Sequence, residues 1–242
     1  MFADAKAEPP RRLSSAATGE ARFNRVSRRV KPIAQALCEQ EVKASNPDFD
    51  CNVSLEIDRK MTERNAYFTY AKPGNKGPVI RFSLPILQDA QSDDEVAFIL
   101  GHEYGHLIGQ HIEKGQQQAL AGALIMGAFT AYANAYSASY GGYYDPNAVE
   151  ENMLLGAAAG QRAYSKTYEL ESDMLGTHIA SAAGYDPVKG ARFFARDEAV
   201  RSTAGNLSFW GTHPADSERI AMVIATKAQI AERKALERRV AN

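Results

Sequence analysis

Ser92-Asp93-Asp94-Glu95-Val96-Ala97-Phe98-Ile99-Leu100-Gly101-His102-Glu103-Tyr104-Gly105-His106 is the stretch on which the reading of this chain turns. Ser92 followed three positions later by Glu95 is a capping box, which satisfies backbone N–H groups that a helix start leaves unpaired. An apolar run follows, so a helix is expected from about Asp93 to about Lys114. Inside it, residues 102–106 read HExxH. Four residues advance a helix by about 400°, so both imidazoles project from one face, about 6 Å apart along the axis. That geometry lets His102 and His106 reach one Zn²⁺ at about 2.0–2.1 Å. Glu103 lies on the adjoining part of the face, where it can take a proton from an activated water without being a ligand. Gly105 is a mild cost to the helix, which points to close packing there.

A catalytic zinc needs a third protein ligand and one open position. Gly109 fits the HExxHxxGxxH arrangement, but position 112 is Ile and His111 comes one residue early. On a continuing helix His111 is rotated about 900° from His102 and points away from the metal. The better candidate lies downstream in Tyr168-Glu169-Leu170-Glu171-Ser172-Asp173, on a predicted helix. Glu169 and Asp173 share a face. Glu169 is placed to ligate, while Asp173 is placed to accept an N–H from a ligating imidazole and fix its tautomer. Glu171 lies about 200° further round and faces elsewhere. Spacing alone carries this choice weakly, because acidic residues on helices are usually solvated.

Working outward, residues 1–20 are rich in Ala, Pro, Ser and charge and read as a disordered lead-in, leaving 21–242 as a single metallopeptidase domain. Phe23, Val26, Val30, Ile33 and Leu37 mark a helix with Pro32 inside it. Its Arg22, Arg25, Arg28, Arg29 and Lys31 form a basic face that is either solvated or drawn to an anionic membrane. Val53, Leu55 and Ile57 alternate as a half-buried strand, and residues 65–71 and 79–84 flank a Pro/Gly/Asn-rich turn as a hairpin. Residues 119–144 carry no charge and read as a buried or membrane-touching helix. Further helices are expected over 150–183, broken in the middle, after the Asp186-Pro187 cap, and over 215–238. The class is α+β: a mainly helical metallopeptidase domain with a small, mostly antiparallel sheet beside the HExxH helix. Two cysteines, Cys38 and Cys51, either bridge a short loop or stand as buried thiols. A net charge of −1 gives no pull toward nucleic acid. No secretory signal is visible at the start of the chain.

The chain resembles the HtpX-like zinc metallopeptidases, which include the CAAX prenyl endopeptidases, BepA and LoiP. The resemblance covers most of residues 60–225. It rests on Asn65-Ala66, the acidic helix start leading into HEYGH, the E-x-x-x-D of Glu169 and Asp173, Gly184-Tyr185-Asp186-Pro187, and His213-Pro214 with Arg219. It implies that Glu169 is the third ligand, that His213 works near the metal, on an oxyanion or in the open position, and that Arg219 supports the site. Ser172 stands where the family commonly carries Ala, and the family's transmembrane helices and tetratricopeptide repeats find no match, so the likeness is to compact LoiP-like members. The expectation is a Zn²⁺-dependent endopeptidase. Its metal is held by His102, His106 and Glu169, with Glu103 as base, His213 as second catalytic group, and Asp173 and Arg219 in support. Its expected partners are unfolded or misassembled proteins or peptides, in a periplasm or cell envelope ahead of the cytoplasm, with membrane association and oligomeric state left open and nucleic acid excluded. The alternative is a zinc-binding chaperone or adaptor without turnover.

Overall fold

The computed structural model describes residues 2–8, 11–163 and 165–240. The chain divides into two compact units, Met1–Gly109 with Glu169–Asn242, and Gln110–Tyr168, within the span expected as one domain.

The first unit is built round α4 (Asp93–Ile108). Ser92 Oγ accepts the Glu95 N–H at 3.2 Å, as the capping box requires, and such a cap contributes about 1 kcal/mol. The Glu95 carboxylate closes the box one residue early, accepting the Gln91 N–H at 2.6 Å and both contacts from Arg11 at 2.8 Å. Val96 to Leu100 are fully buried, so α4 is surrounded rather than amphipathic. The helix ends at Ile108, six residues before the expected Lys114. Gly109 completes its last turn by donating to the Gly105 carbonyl, and Gln110 then takes a left-handed φ of 53°, which starts a new helix at His111.

Helix α2 (Ala16–Val42) and a three-stranded sheet pack against α4. The helix buries Phe23, Val26, Val30, Ala34, Cys38 and Val42. Ala34 and Cys38 carry the stripe in place of the expected Ile33 and Leu37, because a contact row in steps of four runs obliquely along a helix. The sheet has the order β1-β3-β2, with β1 (Ser54–Asp58) parallel and β2 (Ala66–Lys72) antiparallel to central β3 (Lys76–Ser83). It is thus evenly mixed, and it packs beside α4. Gly74 and Asn75, at φ 71° and 54°, turn the β2–β3 hairpin through conformations that glycine and asparagine tolerate. Phe23 from α2 meets Phe82 from β3 with ring centroids 5.1 Å apart, joining helix and sheet into one core. Helix α3 (Leu84–Asp89) links β3 to α4.

The segment expected as a disordered lead-in is held by contacts. Helix α1 (Phe2–Lys6) buries Ala5, Arg11 pairs with Glu95, Ser14 donates its N–H to the Gln88 carbonyl at 2.8 Å, and Ser15 caps α2. These anchors are single contacts between distant positions, which composition averages away. The basic face of α2 is partly used inside the fold: Arg22 donates to Ala90 and Gln91 carbonyls, and Arg25 pairs with Asp93. A disulfide joins Cys38 to Cys51, tying the end of α2 to the approach to β1.

The second unit consists of α5 (His111–Ser139), α6 (Pro146–Ala163) and the start of α7 (Ser165–Ala182). The remainder of α7 returns to the first unit. Asp186 then accepts from the Val188 and Lys189 N–H groups to cap α8 (Pro187–Ala191), and a 3₁₀ turn (Arg192–Ala195), α9 (Phe209–Thr212) and α10 (Ser217–Val240) complete the order.

Candidate metal centre

Small residues decide how α4 meets α7. A Cβ on Gly105 would lie 2.7 Å from Ser172 Cα, and one on Gly176 would lie 2.8 Å from the His102 nitrogen. Gly101 faces Gly176 in the same way, at 3.0 Å from its carbonyl oxygen. The two backbones therefore run nearly in contact, and the residues beside the glycines, His102 and His106, come within reach of Glu169 and Asp173.

The result is a cluster of four donors. His102 Nε2 lies 3.1 Å from His106 Nε2, 3.2 Å from His213 Nδ1 and 3.5 Å from Glu169 Oε2. His106 Nε2 lies 3.4 Å from Glu169 Oε1, and His213 Nδ1 lies 3.1 Å from Glu169 Oε2. All four donor atoms lie within 4.8 Å of one another. A tetrahedron with bonds of about 2.0–2.1 Å has edges of about 3.3–3.4 Å, so the donor spacings suit a zinc-sized cation. The chemistry suits one too. His102 Nδ1 faces Asp173 Oδ1 at 2.9 Å, which holds a proton there and turns Nε2 toward the other three donors. A cation is the partner that satisfies such a set.

Around the donors sits a charged frame. Arg219 donates to both Asp173 oxygens, at 2.7 and 2.8 Å, and lies 3.1 Å from Glu169 Oε2. Burial alone pushes the Asp173 carboxyl up, but Arg219 outweighs it and holds the group below its ordinary value. Burial likewise opposes ionisation of Glu169, and the surrounding histidines bring it well below the carboxylate range. For His102, burial disfavours the proton, yet Asp173 and Glu169 raise its pKa to about 9; burial holds His106 down at about 3. Glu103 is buried and pushed up by desolvation. Its Oε2 accepts the Phe68 N–H from β2 at 2.9 Å, while Oε1 makes no hydrogen bond and lies 3.4 Å from His213 Nε2.

His102, Glu103, His106, Glu169, Asp173, His213 and Arg219, all singled out from the sequence, thus meet at one place. His111 does not join them. It opens α5 and stacks on Tyr168, ring centroids 4.4 Å apart, so its exclusion holds for a different reason than rotation along a continuous helix. Sequence reasoning missed the aromatic wall: Phe194 packs 5.0 Å from the His102 ring and carries the Arg219 guanidinium at 4.6 Å, and Phe209 lies 4.8 Å from the His213 ring. It also missed how His213 is held. Phe209 N–H donates to the Arg64 carbonyl at 2.7 Å, and Thr212 Oγ1 donates to Asn65 Oδ1 at 3.4 Å, tying α9 to the strand that presents Phe68. Asn65-Ala66 was the available signal.

An HExxH helix, a carboxylate from a second helix and a buried glutamate beside them are the residue types that a metal-dependent peptidase uses. The comparisons agree: residues 20–227 match the Peptidase family M48 model, and the chain belongs to that family. It is 29% identical over 143 residues to a putative beta-barrel assembly-enhancing protease of Vibrio cholerae, covering 54% of this chain and 27% of that protein. It is 29% identical over 133 residues to the metalloprotease LoiP of Escherichia coli, covering 55% and 49%. To the mitochondrial metalloendopeptidase OMA1 of Saccharomyces cerevisiae it is 26% identical over 156 residues, covering 62% and 41%. The matched regions are thus less than half of each of these relatives.

Proposed function

We propose that the chain is a zinc-dependent endopeptidase, with His102, His106 and Glu169 holding the metal and Glu103 serving as general base. The observation that carries this reading is the convergence of His102, His106 and Glu169, with His213, beside a buried carboxylate whose Oε1 makes no hydrogen bond. When bound, zinc supplies a Lewis acid that polarises the scissile carbonyl and activates water. Glu103 receives the proton on Oε1, and desolvation raises its affinity for that proton. The Phe68 N–H holds the other oxygen and so fixes the carboxylate plane. Asp173, itself clamped by Arg219, orients His102.

Strand β2 is the outer strand of the hairpin and leads past Glu103 through Phe68. An extended polypeptide adding to that edge would run beside the base with its backbone, not its side chains, recognised. This suits unfolded or misassembled protein as the substrate class. The Cys38–Cys51 disulfide suits an oxidising compartment such as a bacterial envelope, as does the relative named for beta-barrel assembly.

His213 supports a second reading. As a fourth protein donor it completes a closed set, which characterises structural rather than catalytic zinc. Either His213 leaves the cluster during turnover, or the protein is a zinc-holding chaperone or adaptor. Elemental analysis together with cleavage of an unfolded protein decides this. About one zinc per chain with Glu103-dependent cleavage supports the peptidase. Zinc with no cleavage in wild type or His213→Ala supports the adaptor, and no bound metal overturns both.

A further inference from the structure

Helix α5 carries a surface that neither reading uses. Between Lys114 and Asp145 the sequence has no charged residue. The helix is long and apolar enough to cross a membrane, yet only 6% of its most apolar window is buried. One side is occupied: Gly122 meets Gly156 backbone to backbone, a Cβ on either glycine lying 2.1–2.2 Å from the other's carbonyl oxygen, and Gly160 meets the Gln118 carbonyl in the same way. Such small-residue crossings are the usual means by which helices associate in an apolar medium. Leu124, Ile125, Ala128, Phe129, Tyr132 and Tyr136 are all exposed and, at about 100° per residue, lie within about 140° of one another round the helix. Of these, Ile125, Phe129 and Tyr132 are 68%, 68% and 71% exposed.

We infer that this outer face of α5 binds a lipid bilayer, lying in its interface rather than spanning it. Water disfavours a contiguous apolar face of this extent, and the absence of charge gives a protein partner no ion pair with which to fix register. The aromatic end supports lipid. Tyr132, Tyr136 and Tyr140 form a row with centroids 6.5 and 5.0 Å apart, continued by exposed Tyr143, the amphipathic composition found at headgroup level. Against spanning stands α6. Asp145, Glu150 and Glu151 follow the turn, and from there only residues 152–161 precede Arg162, a charge-free run of about 15 Å against a hydrocarbon core of about 30 Å. A hairpin whose return helix cannot cross is accommodated along the surface. Because the face is uncharged, association should depend on apolar contact and not on anionic headgroups.

The test is flotation of the full chain with phosphatidylcholine vesicles, alone and with added phosphatidylglycerol, at low and high salt. Wild type should float with both compositions and at both salts, and Ile125→Glu/Phe129→Glu should reduce the bound fraction at least about tenfold. Circular dichroism and zinc content of that variant should match wild type, so a failure of the metal-centre reading shows separately. Wild type that stays with free protein, or a double variant that floats equally, overturns the inference. So does binding only with phosphatidylglycerol at low salt, which would assign it to basic residues elsewhere. Self-association by sedimentation that the substitutions abolish, without flotation, assigns the face to a second copy; retention on an immobilised unfolded protein without flotation assigns it to substrate.

Discussion

Replacing Gly105 by Ala tests whether helix contact, rather than ligand chemistry alone, builds the site. The added Cβ would sit 2.7 Å from Ser172 Cα and 2.9 Å from the Ser172 carbonyl oxygen. Carbon atoms prefer about 3.5–4.0 Å, so α4 and α7 must part by about 1 Å at that point. Overpacking of this kind costs about 1–3 kcal/mol, offset by about 0.5–1 kcal/mol from the better helix propensity of Ala. The net loss is between about 0 and about 2.5 kcal/mol, or a fall in Tm of up to about 10 °C for a protein of this size. The consequence for metal is larger. Glu169 lies one turn before Ser172, and ligand distances are held to about 0.2 Å, so a displacement of about 1 Å should weaken zinc binding by about 10–100-fold. Chelator competition measures the affinity and calorimetry the Tm. Gly115→Ala is the control: nothing lies within 4 Å of its added Cβ, and the protein should gain about 0.5–1 kcal/mol. If Gly105→Ala melts with wild type and holds zinc as tightly, the glycine contact does not set the site.

Glu169→Ala should leave less than about one-tenth of the metal bound under conditions where wild type is saturated, and full retention by elemental analysis would remove Glu169 from the ligand set. Glu103→Gln should keep zinc and lose peptidase turnover by at least about 10²-fold; loss of metal from a folded variant would make Glu103 a ligand instead. Cys38→Ser/Cys51→Ser opens a loop of sequence separation 13 and should cost about 3 kcal/mol in denaturant titration, with an unchanged midpoint arguing against the bridge in solution. Asp93 is held below its ordinary pKa first by its hydrogen bond with Arg25, so its contribution is full above the unfolded-state value and is lost as pH falls through the lower folded-state value. Being solvent-screened it contributes under about 1 kcal/mol, and wild type and Asp93→Asn should therefore differ at pH 7 and converge at about pH 2.

Features set by neighbours in sequence were legible before the structure. The Ser92 cap, the apolar run after it and the i, i+4 histidines are local, and local propensity agrees with the final fold there. The break at Gly109-Gln110 was not legible, because helical patterning resumes at once in α5 and Gln110 is not a residue that advertises a left-handed turn. The ordered lead-in escaped for a different reason: Arg11–Glu95 and Ser14–Gln88 are long-range polar contacts that no window of composition contains.

The third ligand shows what a spacing argument lacked and what it could have used. Glu169 lies 67 residues from His102, so no short motif joins them. What joins them is a crossing of two helices, and a close crossing leaves its own mark in sequence. On α4 the pattern is Gly101-His102 and, four residues on, Gly105-His106, each histidine beside a position where an added Cβ would lie 2.7–3.0 Å from α7. On α7, Glu169, Ser172, Asp173 and Gly176 fall at i, i+3, i+4 and i+7, which is one face. The two small residues on that face meet the two glycines of α4, and the two acids flanking them meet the histidines. Glu171, off this face, has no small residue to bring it close. Read together, the small-residue stripes select Glu169 over Glu171 without reference to any relative, because only a helix stripped of side chains at the crossing lets a carboxylate as short as glutamate's reach the neighbouring imidazoles.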